Sequence, residues 1–237
     1  MAEPPSEDRT DSLNVAWSDV VRFIRQLSHD LRNHLNAIEL QCAYVSELQQ
    51  EGEVKGEIKR LREIVAGLTS TLQSLSKAVS VVKPNLIPYR AADLAEDLHK
   101  KIDHDFSRES AVINWNIQLG DAMLNVDPQL LQEALTELFA NAFRHNRCKG
   151  TLVATANMQE NRLLFTLQEP KSRFDLPTES WARKPLGKVS QGHYGLGLNR
   201  VRAIVEAHGG EIYAQYDPNA SALTTTLVLP VSGRRDP

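Results

Sequence analysis

The 237-residue sequence predicts an α+β protein: an N-terminal helical hairpin that pairs with a second copy as a four-helix bundle, followed by an α/β sandwich. Three observations carry that expectation. Residues 13–82 hold two leucine-rich stripes whose apolar steps are threes and fours. Two prolines, Pro84 and Pro88, then interrupt the helical pattern. Beyond them, short alternating apolar runs are interleaved with amphipathic segments, the pattern of strands beneath helices.

The first stripe runs through Val20, Ile24, Leu27, Leu31, Leu35, Ile38, Cys42, Val45 and Leu48. A break follows at Gln50–Gly52, with Gly56 close behind. The second stripe runs from Val54 through Ile58, Leu61, Ile64, Val65, Leu68, Leu72 and Leu75 to Val79 and Val82. One antiparallel hairpin of this length cannot enclose its own seam, so a homodimer is expected. KPNLIP, residues 83–88, reads as the linker. In the second domain, 89–232, a helix is expected over 91–107 and a strand over 111–117. An amphipathic helix follows over 127–146, with Pro128 in its first turn. TLVATANM and RLLFTLQE flank Gln159-Glu160-Asn161 as a hairpin, and a loop is expected from Pro170 to about Tyr194. LGLNRVRAIVEAH, 196–208, reads as a helix stopped by His-Gly-Gly, and a closing hairpin turns at Asp217-Pro218-Asn219. Residues 1–12 and 233–237 read as loose tails.

A hydrophobic fraction of 41% is enough for real cores, and a net charge of −3 gives no bulk attraction to nucleic acid or acidic membranes. The two cysteines, Cys42 and Cys148, form no CxxC pair, so neither a zinc site nor a disulfide framework is expected. No run of about 18 apolar residues and no apolar leader occurs, which predicts a cytoplasmic chain without membrane insertion.

Residues 28–36, SHDLRNHLN, gather unusual hydrogen-bonding chemistry on the first helix. At 100° per residue, His29 lies nearly opposite the apolar stripe, with Asn33 and Asn36 within about 40° of it. An exposed neutral imidazole is a nucleophile at physiological pH. An adjacent carboxylate can hold its second proton, and an amide four residues on can orient a water.

His29-Asp30-Leu31-Arg32-Asn33-His34-Leu35 resembles the H box of sensor histidine kinases, with His34 where that family usually has proline. The resemblance implies that His29 is the phosphoacceptor, Asp30 its acid/base partner and Asn33 the water-orienting amide. Glu137-Leu138-Phe139-Ala140-Asn141-Ala142-Phe143-Arg144-His145-Asn146 resembles the family's N box, which implies ATP and Mg²⁺ binding. There Glu137, Asn141, Arg144 and His145 share a helix face, Asn141 offering Mg²⁺ a neutral oxygen and Arg144 and His145 meeting phosphates. Gly192-His-Tyr-Gly195-Leu196-Gly197-Leu198 resembles the second glycine box, placing Gly192, Gly195, Leu196 and Gly197 against the phosphates at a helix start. The second domain is thus expected to be an α/β sandwich of the histidine-kinase ATPase type.

The family's Asp-x-Gly-x-Gly box is missing. FTLQEPKSRFD occupies its place, with Glu169 where the adenine-binding aspartate belongs and Lys171 where glycine does. Asp175 is a second candidate acid. A misplaced partner for a buried polar edge costs about 1–3 kcal/mol, enough to weaken ATP binding roughly ten- to hundredfold. Two functions therefore compete. One is a two-component histidine kinase that autophosphorylates His29 from ATP and passes the phosphoryl group to an aspartate of a response-regulator receiver domain. The other is an ATP-independent phosphotransfer protein, or a pseudokinase docking module, on a degenerate frame. No segment reads as a sensor, so the input is expected from a separate sensor or kinase protein, or from further parts of a longer chain.

Overall fold

The computed structural model describes residues 16–48, 52–109, 113–145, 150–174, 178 and 196–231. The chain forms two compact units, divided between Val79 and Ser80. Among the described residues no helix is long and apolar enough to cross a membrane. Both expected tails lie outside the described residues.

The first unit is a hairpin of α1 (Trp17–Leu48) and α2 (Gly52–Ala78). The helix α1 continues unbroken through His34, where a proline would have removed a backbone hydrogen bond. Gly56 lies inside α2, which therefore starts before it. The hairpin buries one heptad line, Ser28, Leu35 and Cys42 on α1 against Ile58 and Val65 on α2. A second apolar line stays exposed: Leu27, Leu31 and Ile38 on α1, and Leu61, Ile64 and Leu68 on α2. The second helix ends at Ala78, short of the expected Val82. Its end is satisfied from within the unit, since the Arg25 guanidinium donates to the Val79 carbonyl at 2.8 Å. That carbonyl would otherwise be orphaned at the helix terminus.

The second unit runs β1 (Ile87–Arg90), α3 (Ala91–Asp105), β2 (Ile113–Gln118), β3 (Met123–Val126), α4 (Pro128–His145), β4 (Leu152–Gln159), β5 (Arg162–Pro170), α5 (Gly197–Ala207), β6 (Glu211–Asp217) and β7 (Ala222–Pro230). The five-stranded sheet has the order β2-β4-β5-β7-β6. The pair β2–β4 is parallel and the other neighbours are antiparallel. A small ribbon, β1 against β3, was not expected from the sequence, where Pro84 and Pro88 read only as linker. Pro88 is tolerated because the ribbon has two edges and no central strand.

The core follows from two periodicities. Leu163, Phe165 and Leu167 on β5, and Leu223, Leu227 and Leu229 on β7, alternate inward at period 2. Leu94, Leu98 and Ile102 on α3, Leu131, Leu135, Leu138 and Phe139 on α4, and Val201, Ile204 and Val205 on α5 recur at helical spacing against them. The β4–β5 turn places Glu160 and Asn161 at φ 44° and 63°, a primed hairpin turn that asparagine tolerates.

The step from α5 to β6 is tight. Gly209 adopts φ +70° after the helix, and a Cβ on Gly210 would stand 2.4 Å from the Val228 carbonyl oxygen and 2.9 Å from Leu229 Cδ2. Backbone cannot move aside as a side chain can. Gly210→Ala is expected to destabilise the protein by about 1–3 kcal/mol, read as a lowered thermal midpoint.

Candidate functional site

On α1 the seven-residue spacing that buries Ser28 and Leu35 turns His29 outward, its side chain 67% exposed. Its Nδ1 lies 3.2 Å from Asp30 Oδ1. An ionised carboxylate only accepts, so in this pairing Nδ1 carries the proton and Nε2 keeps its lone pair facing solvent. Asn33 Nδ2 stands 3.5 Å from the same Nδ1, close to it but not bonded in this tautomer, since both groups donate. Gln26 Nε2 donates to both Asp30 oxygens, at 2.9 and 3.1 Å. The bond from His29, followed by those from Gln26, holds the Asp30 carboxyl below its usual 3.8. Asp30 therefore stays ionised and can hold the Nδ1 proton of the imidazole. The three residues expected to act together are together.

In the second unit, α4 carries Glu137, Asn141 and Arg144 at helical spacing, the first two half-buried. Arg144 Nη1 lies 4.0 Å from Glu137 Oε1. Among the described residues of the glycine box, Gly197 meets this helix. A Cβ on Gly197 would stand 2.1 Å from Glu137 Oε1 and 2.9 Å from its Cδ, so a side chain there would push the Glu137 carboxylate aside from the start of α5. Negative charge is favourable at a helix N-terminus, and Leu196, the residue before α5, supplies no side-chain cap. Leu196 is itself buried, so only its backbone can serve a ligand. Gly192, Gly195, Asp175 and the side chain of His145 lie outside the described residues.

Two polar links tie the elements of this unit together. Asp127 caps α4, its Oδ1 accepting from the N–H groups of Gln129 and Leu130, both at 3.1 Å. Its Oδ2 accepts from the Asn85 N–H at 3.0 Å, and its own N–H donates to His208 Nε2 at 3.0 Å. Since a backbone N–H only donates, His208 Nδ1 carries the proton, and it donates to the Ile204 carbonyl at 2.7 Å. The helix-stop reading of His208 gains this structural role. Burial pushes the Asp127 carboxyl up, but the N–H groups of Asn85, Leu130 and Gln129 outweigh it and hold it below 3.8. With the folded value depressed, this contribution is complete above the unfolded value and is lost as pH falls through the folded one. The stability gap between the native protein and Asp127→Asn is therefore expected to close on acidification below 3.8, as followed by thermal melts. The other link is the buried Arg200 on α5. Its Nε lies 3.4 Å from Glu133 Oε1 on α4, and its Nη1 donates to the Ser80 carbonyl at 3.0 Å.

Glu169 differs from the expectation. The strand β5 runs on through Pro170 rather than ending before it, paired with β7 to Ala222. Glu169 is inward on this strand, in line with Leu163, Phe165 and Leu167, and only 7% of its side chain is exposed. Its carboxylate faces Lys171, whose Nζ lies 2.9 Å from Oε2. Lys171 is held at its backbone, its N–H donating to the Ser221 carbonyl at 2.7 Å and its carbonyl accepting from Tyr216 Oη at 3.2 Å. The acid expected to receive adenine thus already has a cationic partner two residues away. The charge pattern Glu-Pro-Lys was visible in the sequence, but a buried pairing was not, because it depends on β5 running through Pro170 and on the backbone bonds that hold Lys171 to Ser221 and Tyr216.

The family described as histidine kinase-, DNA gyrase B-, and HSP90-like ATPase matches residues 126–233. The sensor histidine kinase ZraS of Klebsiella oxytoca is 25% identical over 214 residues, covering 88% of this chain and 46% of that protein. The sensor histidine kinase HprS of Escherichia coli (strain K12) is 26% identical over 218 residues, covering 87% and 47%. The chain thus spans about half the length of these curated relatives. The crystal structure of full-length ShkA in complex with AMPPNP aligns with a TM-score of 0.65 at 19% identity, over 89% of this chain and 46% of that one. The Acinetobacter baumannii histidine kinase AdeS aligns with a TM-score of 0.52 at 19% identity, over 86% and 98%. At such identities the structural likeness speaks for the fold. Residues 126–233 thus match the histidine kinase-, DNA gyrase B-, and HSP90-like ATPase family, and with the helical hairpin ahead of them these findings support a histidine kinase catalytic core.

Proposed function

We propose that the chain is a two-component histidine kinase core that phosphorylates His29 from a purine nucleoside triphosphate, ATP in the family's pattern. It then passes the phosphoryl group to an aspartate of a response-regulator receiver domain. The observation that carries this reading is the outward His29 with Nδ1 engaged by ionised Asp30. The Nε2 lone pair attacks the γ-phosphorus, a P–N bond forms, the bond to the bridging oxygen breaks, and the nucleoside diphosphate leaves. Asp30 holds the Nδ1 proton while charge develops on the ring. Asn33 is placed to orient a water for the reverse process, hydrolysis at a partner.

On the nucleotide side, Asn141 would give Mg²⁺ one neutral oxygen and Arg144 would meet phosphate oxygens. Among the described residues no cluster of three or more His, Cys, Asp or Glu residues can hold a metal alone. A single amide donor fits Mg²⁺, which keeps waters and takes most other ligands from phosphates. The metal, when bound, neutralises phosphate charge. A receiver partner and a nucleotide donor place the protein in the cytoplasm, with its input from a separate sensor or kinase protein, or from further parts of a longer chain.

The exposed line of Leu27, Leu31, Ile38, Leu61, Ile64 and Leu68 supports pairing of two hairpins as a four-helix bundle. Leu31→Glu with Ile38→Glu is expected to shift the native dimer to monomer in sedimentation equilibrium. An unchanged dimer would reject this seam.

The Glu169–Lys171 pair favours a second reading, phosphotransfer without nucleotide. Two incubations separate the readings. Labelled nucleotide with Mg²⁺ loads His29 only if the chain is a kinase. A phosphorylated receiver loads it under both readings, and failure of both incubations leaves only a docking role.

A further inference from the structure

We propose that Gln26 is a positioning residue for phosphoryl transfer: it fixes the Asp30 carboxylate against His29 Nδ1 and so leaves the Nε2 lone pair free for phosphorus. The proposal rests on the phosphoacceptor reading above and adds to it the residue that decides which ring nitrogen reacts.

Two i,i+4 pairs run side by side on the exposed face of α1, Gln26 with Asp30 and His29 with Asn33. The side chains of His29 and Asp30 are 67% and 52% exposed. Holding an exposed charged side chain in one geometry costs rotamer entropy, and water competes for its oxygens. Gln26 supplies the restraint. Its Nε2 lies 2.9 Å from Asp30 Oδ1 and 3.1 Å from Oδ2, so one amide nitrogen straddles the carboxylate and sets its plane. Oδ1 also faces His29 Nδ1 at 3.2 Å. A carboxylate oxygen accepts more than one hydrogen bond, so Gln26 does not take the place of His29.

The restraint matters because the two neighbours of Nδ1 ask for opposite tautomers. The ionised Asp30 only accepts, and it matches a ring protonated at Nδ1. Asn33 Nδ2 only donates. From 3.5 Å it matches a ring whose Nδ1 holds the lone pair and whose Nε2 holds the proton. That second tautomer has no lone pair at Nε2 with which to attack. The hydrogen bond made at one ring nitrogen settles the state of the other. By holding Asp30 in place, Gln26 tips the ring toward Nδ1–H. In that state the Nε2 lone pair forms the P–N bond as the bond from phosphorus to the leaving oxygen breaks. Nδ1 keeps its proton, and Asp30 meets the charge that develops on the ring.

Ring-nitrogen NMR shifts of His29 in the full chain, assigned with His29→Gln, test this. They are recorded without a phosphodonor at about pH 9, where imidazoles are neutral. The native protein is expected to favour Nδ1–H. Gln26→Leu keeps a good helix former on an exposed face but removes the amide. It is expected to lower the ratio of Nδ1–H to Nε2–H about two- to threefold, the scale of one exposed side-chain pair on a helix. The rate at which a phosphorylated receiver labels His29 is expected to fall with it. Gln26→Lys returns an N–H donor and is expected to recover both. In an Asp30→Ala background Gln26→Leu is expected to change neither, because it acts through that carboxylate. An unchanged ratio in Gln26→Leu overturns the proposal. So does an effect that survives in the Asp30→Ala background, or a shifted ratio with an unchanged labelling rate. No labelling of the native protein by nucleotide or receiver instead rejects the phosphoacceptor reading, a separate failure, since the tautomer ratios are measured with no donor present.

Discussion

His29→Gln is expected to abolish acid-labile phosphorylation of the protein, whether the donor is a nucleotide or a phosphorylated receiver. Glutamine keeps a polar, helix-compatible side chain on an exposed face, so the hairpin folds and its thermal midpoint stays near that of the native protein. It has no nitrogen lone pair able to attack phosphorus, because the amide nitrogen is delocalised into its carbonyl. The expected loss is to background, in contrast with Asp30→Asn. That variant retains the nucleophile but not the anion beside Nδ1, so transfer is expected to slow by about 10²–10⁴-fold, the range of general acid–base contributions. Label persisting in His29→Gln would move the phosphoacceptor elsewhere, and equal rates in Asp30→Asn and native protein would remove Asp30 from the chemistry.

Phe139→Ala carries the largest expected effect on stability. Phe139 is wholly buried on α4, between Glu137 and Asn141 in sequence, with ring centroids 5.2 Å from Trp115, 6.2 Å from Phe143 and 6.3 Å from Phe165. It is one of the side chains that seat α4 on the sheet. Truncation removes the buried ring and leaves a cavity, at a cost of about 3–5 kcal/mol. For a chain of this size that is a fall of roughly 6–20 °C in the melting midpoint of the second unit. Because the hairpin is a separate compact unit, the variant is expected to lose nucleotide-dependent labelling while His29 still takes phosphate from a receiver. Loss of both reactions would mean that the two units fold as one.

The parts of this molecule governed by local periodicity were legible from the sequence. The stripes at threes and fours gave both long helices, and the alternation in RLLFTLQE gave β5. The His29, Asp30 and Asn33 constellation could be read because all three lie within two turns of one helix, where spacing alone determines the face. The misses share a cause, since each depends on contacts between residues far apart in the chain. The β1–β3 ribbon joins Ile87 to Val126, and a proline-rich stretch gives no sign of it. The second helix stops at Ala78 although the valines continue, its last carbonyl met by Arg25 from the other helix. Lys171 read as a misplaced side chain in a glycine position. Its pairing with Glu169 appears only once β5 extends through Pro170 and the backbone of Lys171 is held by Ser221 and Tyr216. Glu137 was visible as a member of a helix face, but its closeness to Gly197 required both helices in place.

Asp127 joins three segments at a single carboxyl-bearing residue: the chain arriving at Asn85, the first turn of α4, and the end of α5 through His208. A pull on the incoming chain at Asn85 is thereby applied to the root of the helix that bears Asn141.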